Sequence, residues 1–310
     1  MTGKILITGG AGFIGSHLAD RLLADGEAVT ILDDLSSGRR ENVPEGADLV
    51  VGDILDTALV ERLVAGCDAV FHLAALVSVQ ECIRHWRRGH AVNLGATIDL
   101  LDLAAKRGVP VVYASSAAVY GDRSDAVCSE ELAPAPISPY GADKLGCEHQ
   151  ARAMAAIHGL RSAGLRFFNV YGPRQDPSSP YAGVISRFCA NRREGTSHTV
   201  FGDGLQSRDF IYVADVVEGL VRARRHAGER DGASVLNLCT GAETTLLELA
   251  RAIDATAGAG ETPILHAAPR EGDIRRSLGA PELAREALGF DAQTPLADGL
   301  GRLWHATSEH

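Results

Sequence analysis

The sequence predicts an α/β fold, a doubly wound parallel sheet with a smaller, interleaved C-terminal substrate domain, from three observations. Short continuous apolar runs alternate with helical patterns through the first half of the 310 residues. Apolar strands separated by helices are typical of a parallel sheet that helices cover on both faces. The first apolar run ends in a glycine-rich turn, TGGAGFIGSHL from residue 8 onward, which opens a helix. This combination of strand, glycine turn and helix is the pattern of a Rossmann fold.

Each strand is assigned to a short apolar run, and each helix to an amphipathic stretch between two runs. Helical patterns include FIGSHLADRLLADG after the first strand and TIDLLDLAAKRG before the fifth. After residue 172 the pattern loosens into a loop at PRQDPSSP, a helix at ISRFCANRREG and a turn at VFGDG, before VLNLC (235–239) returns to the sheet. The earlier predicted strands are KILIT (4–8), AVTIL (28–32), ADLVV (47–51), AVFHLA (69–74), PVVYAS (110–115) and GLRFFN (164–169).

Composition and charge exclude several classes of function. The chain is 45% hydrophobic and 23% charged, and its net charge of −10 without a basic tract argues against nucleic acid as a partner. No apolar run reaches the roughly 18 residues of a membrane span, and no signal peptide precedes the first strand. None of the six cysteines forms a Cys-x-x-Cys pair, so no metal site is indicated. We therefore expect a cytoplasmic protein that binds neither membrane nor nucleic acid.

The glycine turn after the first strand predicts a dinucleotide site. Gly9, Gly12 and Gly15 are spaced three apart, and Gly10 also completes a Gly-x-Gly-x-x-Gly. Such glycines permit a tight turn, close approach of the backbone to a pyrophosphate and close packing of helix on strand. The helix that begins near Gly12 directs its N-terminus at the phosphates. Because Asp33 follows at the end of the second strand, 18 residues beyond Gly15, the context supports the motif.

Asp33 predicts NAD rather than NADP as the cofactor. A carboxylate at this position accepts hydrogen bonds from the adenosine ribose hydroxyls and repels a 2′-phosphate. Arg39 and Arg40 follow within a few residues, where they could offset that repulsion. Asp53, in the GDI stretch at 52–54, could meet the adenine amine or could instead cap a helix.

These assignments divide the chain into two regions. Because the sequence shows neither an internal repeat nor a linker, the second region is expected to be small and interleaved with the first. Residues 1–171 are expected to form the NAD-binding Rossmann domain, to which residues 211–240 return. Residues 172–210 and 241–310 are expected to form the region that binds the substrate.

The stretch SPYGADK (138–144) contains the strongest catalytic signal. The chain has only three lysines among 30 basic residues, and one of them, Lys144, lies four residues after Tyr140. With Ser138 as cap and Pro139 at the first position, a helix begins here and presents both side chains on one face. A nearby ammonium favours the phenolate of a tyrosine, whose pKa is ~10 unperturbed. Ser116 lies at the end of the fifth strand, the edge where such sheets bind ligands.

On these motifs the chain resembles the extended short-chain dehydrogenase/reductase family, NAD-dependent epimerase/dehydratase type, in its nucleotide-sugar epimerase branch. The resemblance covers essentially the whole chain and implies a homodimer, paired through helices near 95–107 and 141–158. The stretches that carry it are TGGAGFIGSHL, HLAALVSV, VNLGAT, YASSAAVYG, SPYGADK, RFFNVYGPRQDPSSPYAGVI, GDGLQSRDFIYV and PREGDIRRSL.

The resemblance implies roles for residues that match these motifs. Ser116, Tyr140 and Lys144 correspond to the catalytic set, and Lys144 also bonds the nicotinamide ribose. Asn169, Arg208 and Arg270 correspond to contacts with the nucleotide-sugar substrate, and an arginine fork suits its diphosphate. Asn169 could instead cap a turn, and Arg208 could instead pair with Asp203 or Asp209. The implied cofactor contacts are Gly9, Gly12, Phe13, Ile14, Gly15, Asp33, Asp53, Ile54, Leu73, Ala74, Ala75, Asn93, Tyr140 and Lys144.

The implied reaction is C4 epimerisation of a UDP-hexose through a 4-keto intermediate. Tyr140 takes the proton of the 4-hydroxyl while NAD accepts hydride from C4, and the hydride returns after the sugar rotates. Ala117 and Ala118 follow Ser116 where dehydratases carry acidic residues, so elimination of water lacks a general acid or base. A UDP-glucuronate 4-epimerase is the alternative, although that branch usually has threonine in place of Asn169. A sensor without catalytic activity would typically lack the Tyr140–Lys144 pair.

Ser277 is the position that the resemblance links to sugar preference. It lies seven residues beyond Arg270, where the branch lines the pocket near the C2 substituent of the sugar. A small residue leaves space for an N-acetyl group, so both plain and N-acetylated UDP-hexoses are expected as substrates. Ser277 could also be an ordinary loop serine.

Overall fold

The computed structural model describes residues 3–176, 183–258, 260–269 and 274–306, and a seven-stranded sheet lies at its centre. The strands are β1 (Lys4–Thr8), β2 (Ala28–Asp33), β3 (Asp48–Val51), β4 (Ala69–His72), β5 (Val111–Ser116), β6 (Ser162–Phe167), β7 (Asn169–Tyr171), β8 (His198–Phe201), β9 (Ser207–Arg208), β10 (Phe210–Tyr212), β11 (Ala233–Leu238), β12 (Thr244–Thr245), β13 (Ile264–Ala267) and β14 (Arg276–Ser277).

The helices lie between these strands and after them. They are α1 (Phe13–Ala24), α2 (Thr57–Val64), α3 (Val79–Arg84), α4 (Trp86–His90), α5 (Ala96–Arg107), α6 (Pro139–His158), α7 (Val184–Glu194), α8 (Val213–Glu229), α9 (Leu246–Ala257), α10 (Glu282–Leu288) and α11 (Leu296–Ala306). A π-helical stretch at Ala91–Gly95 joins α4 to α5. Among the helices of these described ranges, none is both long enough and apolar enough to cross a membrane.

The central sheet has the strand order β11-β6-β5-β4-β1-β2-β3, and every neighbouring pair in it is parallel. This confirms the predicted doubly wound α/β class. The chain runs outward from β1 through β2 to β3, and then returns to β4 on the other side of β1. Ligands of such sheets bind outside the carboxyl ends of the strands at this reversal.

Both faces of the sheet are covered, which explains why its strands are apolar without alternation. Ile7 faces a core shared with α1 and α8, which contribute Leu18 and Leu220 among others. Its neighbour Leu6 faces the opposite core, shared with α2, α5 and α6, where Leu101 is buried. A third core lies among α7, α9 and α11 and holds the C-terminal region together.

One predicted strand and one predicted turn differ in the structure. The run GLRFFN does not form one strand, because β6 begins at Ser162 and ends at Phe167, and Asn169 opens β7, which pairs with β10. The VFGDG stretch begins inside β8, which pairs with β13, and its turn follows at Gly202 and Gly204, both with positive φ. Both differences arise from strand partners that are remote in the chain.

Candidate active site

A cavity of about 1140 Å³ opens at the carboxyl ends of the central strands, where the strand order reverses. Residues of the Rossmann sheet line one part of it, and residues after 167 line another. Many residues predicted for the site lie on it: Gly9, Gly12, Phe13, Ile14, Gly15, Asp33, Asp53, Ile54, Leu73, Ala74, Ala75, Ser116, Tyr140, Lys144 and Asn169.

Asn93, Arg208 and Ser277 do not line the cavity, and Arg270 lies outside the described residues. Asn93 is fully buried and accepts a hydrogen bond from the Leu76 amide at 2.8 Å while donating to the Leu76 carbonyl at 3.1 Å. It therefore supports the segment from Leu73 to Leu76 that lines the cavity, from the π-helical stretch behind it.

The glycine turn forms a cradle that side chains would fill. Gly9 has a φ of 73°, and a Cβ on it would lie 2.7 Å from the Ala74 amide nitrogen. A Cβ on Gly15 would lie 2.3 Å from the Gly9 carbonyl oxygen. Helix α1 begins directly after Gly12, so its free amides face the cavity. The turn therefore fits the pyrophosphate of a dinucleotide, as the sequence predicts.

Asp33 ends β2 with its carboxylate held in place. One oxygen accepts from the Ala11 amide and the other from the Leu35 amide, each at 2.9 Å. Burial raises the pKa of Asp33, and these two hydrogen bonds oppose the shift. Leu35 has a φ of 59°, a strained conformation that brings its amide to the carboxylate. Each oxygen retains a lone pair with which it can accept a ribose hydroxyl.

We expect Asp33→Ala to weaken NAD binding and to relax discrimination against NADP, because the ribose acceptor and the repelling charge are lost together. The affinities for both cofactors are measured by calorimetry after bound nucleotide has been removed. Asp34→Ala is the matched control, since within the described ranges its carboxylate accepts hydrogen bonds inside its own loop, from the backbone and hydroxyl of Ser36. Unchanged NAD affinity in Asp33→Ala would place the ribose contact on another residue.

Asp53 is not a helix cap. Its carboxylate accepts from the Leu55 amide at 2.9 Å in a local turn, whereas Asp56 caps α2 by accepting from the Leu59 amide. The capping alternative for Asp53 is therefore excluded, and its exposed side chain lines the cavity.

Ser116, Tyr140 and Lys144 come together at the cavity. Ser138 caps α6 by accepting from the Gly141 amide, and Pro139 is the first helical residue, as the sequence predicts. The Lys144 ammonium then lies 5.7 Å from the centre of the Tyr140 ring. The Ser116 hydroxyl hydrogen-bonds the Tyr140 hydroxyl and also accepts from the Ala118 amide at 3.1 Å. The end of β5 and the start of α6 thus deliver a phenol, a hydroxyl and a buried ammonium to one place.

Burial controls the titration of this pair. It raises the pKa of Tyr140 to about 12, and the hydrogen bond from Ser116 acts in the opposite direction. The sequence predicts a phenol activated by the lysine charge, whereas burial is the larger influence here. Lys144 is only 2% exposed, and burial lowers the pKa of its ammonium while Asp143 and the thiols of Cys82 and Cys147 raise it.

Arg174 is a cavity residue that the sequence did not single out. It has a φ of 66°, and its guanidinium donates to Asp20 at 2.7 Å. Non-glycine residues with positive φ occur mainly where the surrounding structure enforces them, often near functional sites. The sequence offers no local signal for it, because the contact joins positions 154 residues apart.

Arg208 and Ser277 are neighbours beside the cavity, paired in the register of β9 with β14. Asp209 links them to Asn169, since its amide donates to the Ser277 carbonyl and its carbonyl accepts from the Asn169 amide. The Asp209 carboxylate accepts from the amide and hydroxyl of Thr240, and Asp203 pairs with Arg275. The two carboxylates that the sequence offered as surface partners of Arg208 therefore have these other partners.

Comparisons with known proteins agree with this architecture. A model of the NAD dependent epimerase/dehydratase family matches residues 5–239. A UDP-glucose 4-epimerase of Mycolicibacterium smegmatis is 41% identical over 307 residues, which cover 96% of this chain and 96% of the relative.

Two solved structures extend the agreement to three dimensions. A UDP-glucose 4-epimerase from Thermotoga maritima, solved with UDP-glucose, is 36% identical with a TM-score of 0.93 over 99% of both chains. A UDP-N-acetylglucosamine 4-epimerase from Methanobrevibacter ruminantium, solved with UDP-N-acetylmuramic acid, is 33% identical with a TM-score of 0.93 over 99% of both chains. The similarity therefore includes the glycine turn, the Tyr140 helix and the C-terminal region alike.

Proposed function

The chain belongs to the NAD dependent epimerase/dehydratase family, and from that premise we propose that it inverts C4 of a UDP-hexose. It is an NAD-dependent enzyme of the UDP-sugar epimerase class. The observation that supports the C4 reaction most directly is the meeting of Tyr140, Ser116 and Lys144 on a cavity that also contains the glycine cradle.

The residues present fit NAD. The turn between Gly9 and Gly15 and the N-terminus of α1 would hold the pyrophosphate, and Asp33 would hold the adenosine ribose. Asp53 would lie near the adenine, and Lys144 near the nicotinamide ribose. NAD, when bound, supplies a reversible acceptor for the C4 hydrogen, so the reaction involves no net oxidation.

Tyr140 is proposed as the base and acid of the reaction. It accepts the proton of the 4-hydroxyl and returns it to the 4-oxygen after the 4-keto sugar has rotated to present its opposite face. Ser116 supports the phenolate by donating a hydrogen bond to its oxygen, which opposes the effect of burial on the pKa of Tyr140. Because one residue can serve both directions, no second base is required on the opposite side of the sugar.

Inversion needs an anchored nucleotide and a mobile sugar. We assign the anchor to the region formed by residues 172–210 and 241–310, where Arg208 lies beside the cavity and Arg270 is a further diphosphate ligand, together with Asn169, which lines the cavity. Arginine suits this task because its planar fork binds phosphate oxygens in pairs. We call Ser277 the proposed sugar gate, because a small or large residue there would admit or exclude an N-acetyl group. Its parallel pairing with Arg208 brings this gate and the proposed anchor into one small sheet.

The decisive experiment is incubation of the purified protein with UDP-glucose, UDP-N-acetylglucosamine and UDP-glucuronate, followed by separation of the C4 epimers. We expect turnover of UDP-glucose and UDP-N-acetylglucosamine. Conversion of UDP-glucuronate alone would instead identify a UDP-glucuronate 4-epimerase. Binding of NAD and UDP-sugar without any turnover would identify a sensor.

We expect Ser277→Tyr to suppress turnover of N-acetylated UDP-hexoses selectively. A large aromatic side chain would occupy the space that an N-acetyl group needs, whereas a plain hexose is smaller at C2. An unfilled pocket disfavours the smaller sugar by only about 1–3 kcal/mol, so the wild type should accept both classes. The measurement is kcat/KM for UDP-glucose and UDP-N-acetylglucosamine, with Ser277→Ala as the small-residue control. Equal loss for both sugars, or none, would remove Ser277 from the gate.

We also propose a homodimer paired through α5 and α6. These helices pack side by side on one face of the sheet, and α6 presents Ile157 with 73% of its surface exposed. Light scattering of the purified protein distinguishes a dimer from a monomer.

A further inference from the structure

Five polar side chains form a continuous buried network behind the candidate active site: Ser115, Tyr120, Glu148, Arg166 and Asn237. At its centre, Arg166 is 2% exposed and Glu148 is fully buried. The Arg166 guanidinium donates to both carboxylate oxygens of Glu148, at 2.9 and 2.7 Å. A bidentate pair of this kind holds two elements in one fixed relation.

One end of the buried network reaches the catalytic elements. The Ser115 hydroxyl donates to Glu148 at 2.6 Å, and Ser115 immediately precedes Ser116 at the end of β5. Glu148 lies on α6 one turn beyond Lys144, and therefore two turns beyond Tyr140. The central ion pair consequently ties the strand end that carries Ser116 to the helix that carries Tyr140.

The other end reaches the segment that contains Ser277. Arg166 donates to the Tyr120 hydroxyl at 2.8 Å, which in turn donates to the Asn237 amide oxygen at 2.8 Å. The Asn237 amide group donates to the Cys128 carbonyl at 2.8 Å and to the Ala280 carbonyl at 3.3 Å.

The Cys128 backbone is paired with this same segment, because its amide donates to the Leu278 carbonyl at 2.8 Å. The network thus runs without interruption from the catalytic serine strand to the backbone just after the proposed sugar gate.

A buried ion pair is weak evidence of a gain in stability. Replacing a buried ion pair by well-packed apolar side chains is often neutral or stabilising, since burying two charges is expensive. We propose that the buried network positions Ser116 and Tyr140 relative to each other and to the segment after Ser277. Its central groups Tyr120, Glu148 and Arg166 do not line the cavity, whereas Ser115 does. Its members are positioning residues. The turnover readout of this proposal rests on the proposed epimerase function.

The test variant is Tyr120→Phe, which removes one hydroxyl from the middle of the network. A misplacement of reacting groups by about 1 Å can reduce turnover by 10²-fold, so we expect kcat to fall about 10- to 100-fold. KM and NAD content should remain close to the wild-type values, because no binding group is altered. For each variant, kcat and KM are measured separately, together with the pH optimum and the thermal unfolding midpoint.

Asp254→Asn is the matched control for lost stability. The Asp254 carboxylate is also buried and hydrogen-bonded, accepting from the Thr262 amide at 2.8 Å and pairing with Arg192, but it lies in α9 and does not line the cavity. We expect this variant to unfold at a lower temperature with unchanged kcat.

Crystal structures of the wild type and Tyr120→Phe provide a second readout that needs no turnover. Positioning predicts that the distance between the Ser116 and Tyr140 hydroxyl oxygens changes by more than about 0.5 Å. The proposal is overturned if this distance is unchanged, or if kcat in Tyr120→Phe falls no more than in Asp254→Asn. If the wild type turns over no UDP-hexose, the proposed function fails and the distance alone decides the positioning role. If Tyr120→Phe does not fold, Asn237→Ser, which alters a network member that does not line the cavity, replaces it under the same criteria.

Discussion

Tyr140→Phe is expected to reduce turnover by about 10²–10⁴-fold while NAD and UDP-sugar binding stay near their wild-type values. The substitution removes only the hydroxyl, which is the proposed proton acceptor and donor. The ring, its place at the start of α6 and its distance from Lys144 are retained. Burial raises the pKa of Tyr140 to about 12, and the hydrogen bond from Ser116 acts in the opposite direction.

The measurement is single-turnover and steady-state epimerisation, accompanied by calorimetric binding of UDP. Ser116→Ala serves as the graded control, and we expect it to lose less activity because Tyr140 remains. The Ser116 hydroxyl acts through its hydrogen bond to the phenol, so its loss should shift the pH dependence toward higher pH. Near-normal turnover in Tyr140→Phe would show that another residue is the base.

Gly15→Ala is expected to abolish NAD retention. The added methyl carbon would lie 2.3 Å from the Gly9 carbonyl oxygen and 2.7 Å from the Gly10 Cα, which are backbone atoms that cannot rotate away. The glycine turn must therefore open, and the cradle for the pyrophosphate is lost. Forced overpacking of this kind also destabilises a fold by typically about 1–3 kcal/mol. The observables are the stoichiometry of copurified NAD and the thermal unfolding midpoint.

Gly301→Ala is the matched control. Gly301 lies within α11, and no atom of the residues that the structure describes lies within 4 Å of the position that its Cβ would occupy. Alanine in a helix interior is more favourable than glycine by about 0.5–1 kcal/mol, so this variant should be slightly more stable with full NAD content. Full NAD content in Gly15→Ala would mean that the turn at Gly9–Gly15 does not hold the pyrophosphate.

Sequence patterns predicted the features of this protein that depend on local backbone structure. The central strands appear within a few residues of the apolar runs, because burial on both faces requires an unbroken apolar stretch. The start of α6 at Ser138–Pro139 and of α1 after Gly12 follow from capping and glycine geometry, which act over three or four residues. Asp33 was placed correctly at the end of β2, because the apolar run of that strand ends there.

Long-range contacts changed the details around the site. Asn93 was predicted as a cofactor contact, but its side chain is buried and holds the Leu76 backbone. The pKa of the Tyr140 phenol was expected to be set by the charge of Lys144, but burial of the phenol in the folded chain has the larger effect on it. Neither burial nor a hydrogen-bond partner 17 residues away in the chain is visible in a local pattern.

By itself, then, the sequence determined the α/β class, the glycine turn, the place of Asp33 at the end of β2 and the spacing of Tyr140 and Lys144, because each depends on neighbours within a few positions. Only the tertiary structure decided which groups share the cavity and what supports them from behind. The Tyr120–Asn237 hydrogen bond spans 117 residues and the Arg166–Tyr120 bond spans 46. Such partners carry no periodicity that links them, since they meet only after the parallel sheet has brought β5, β6 and β11 side by side.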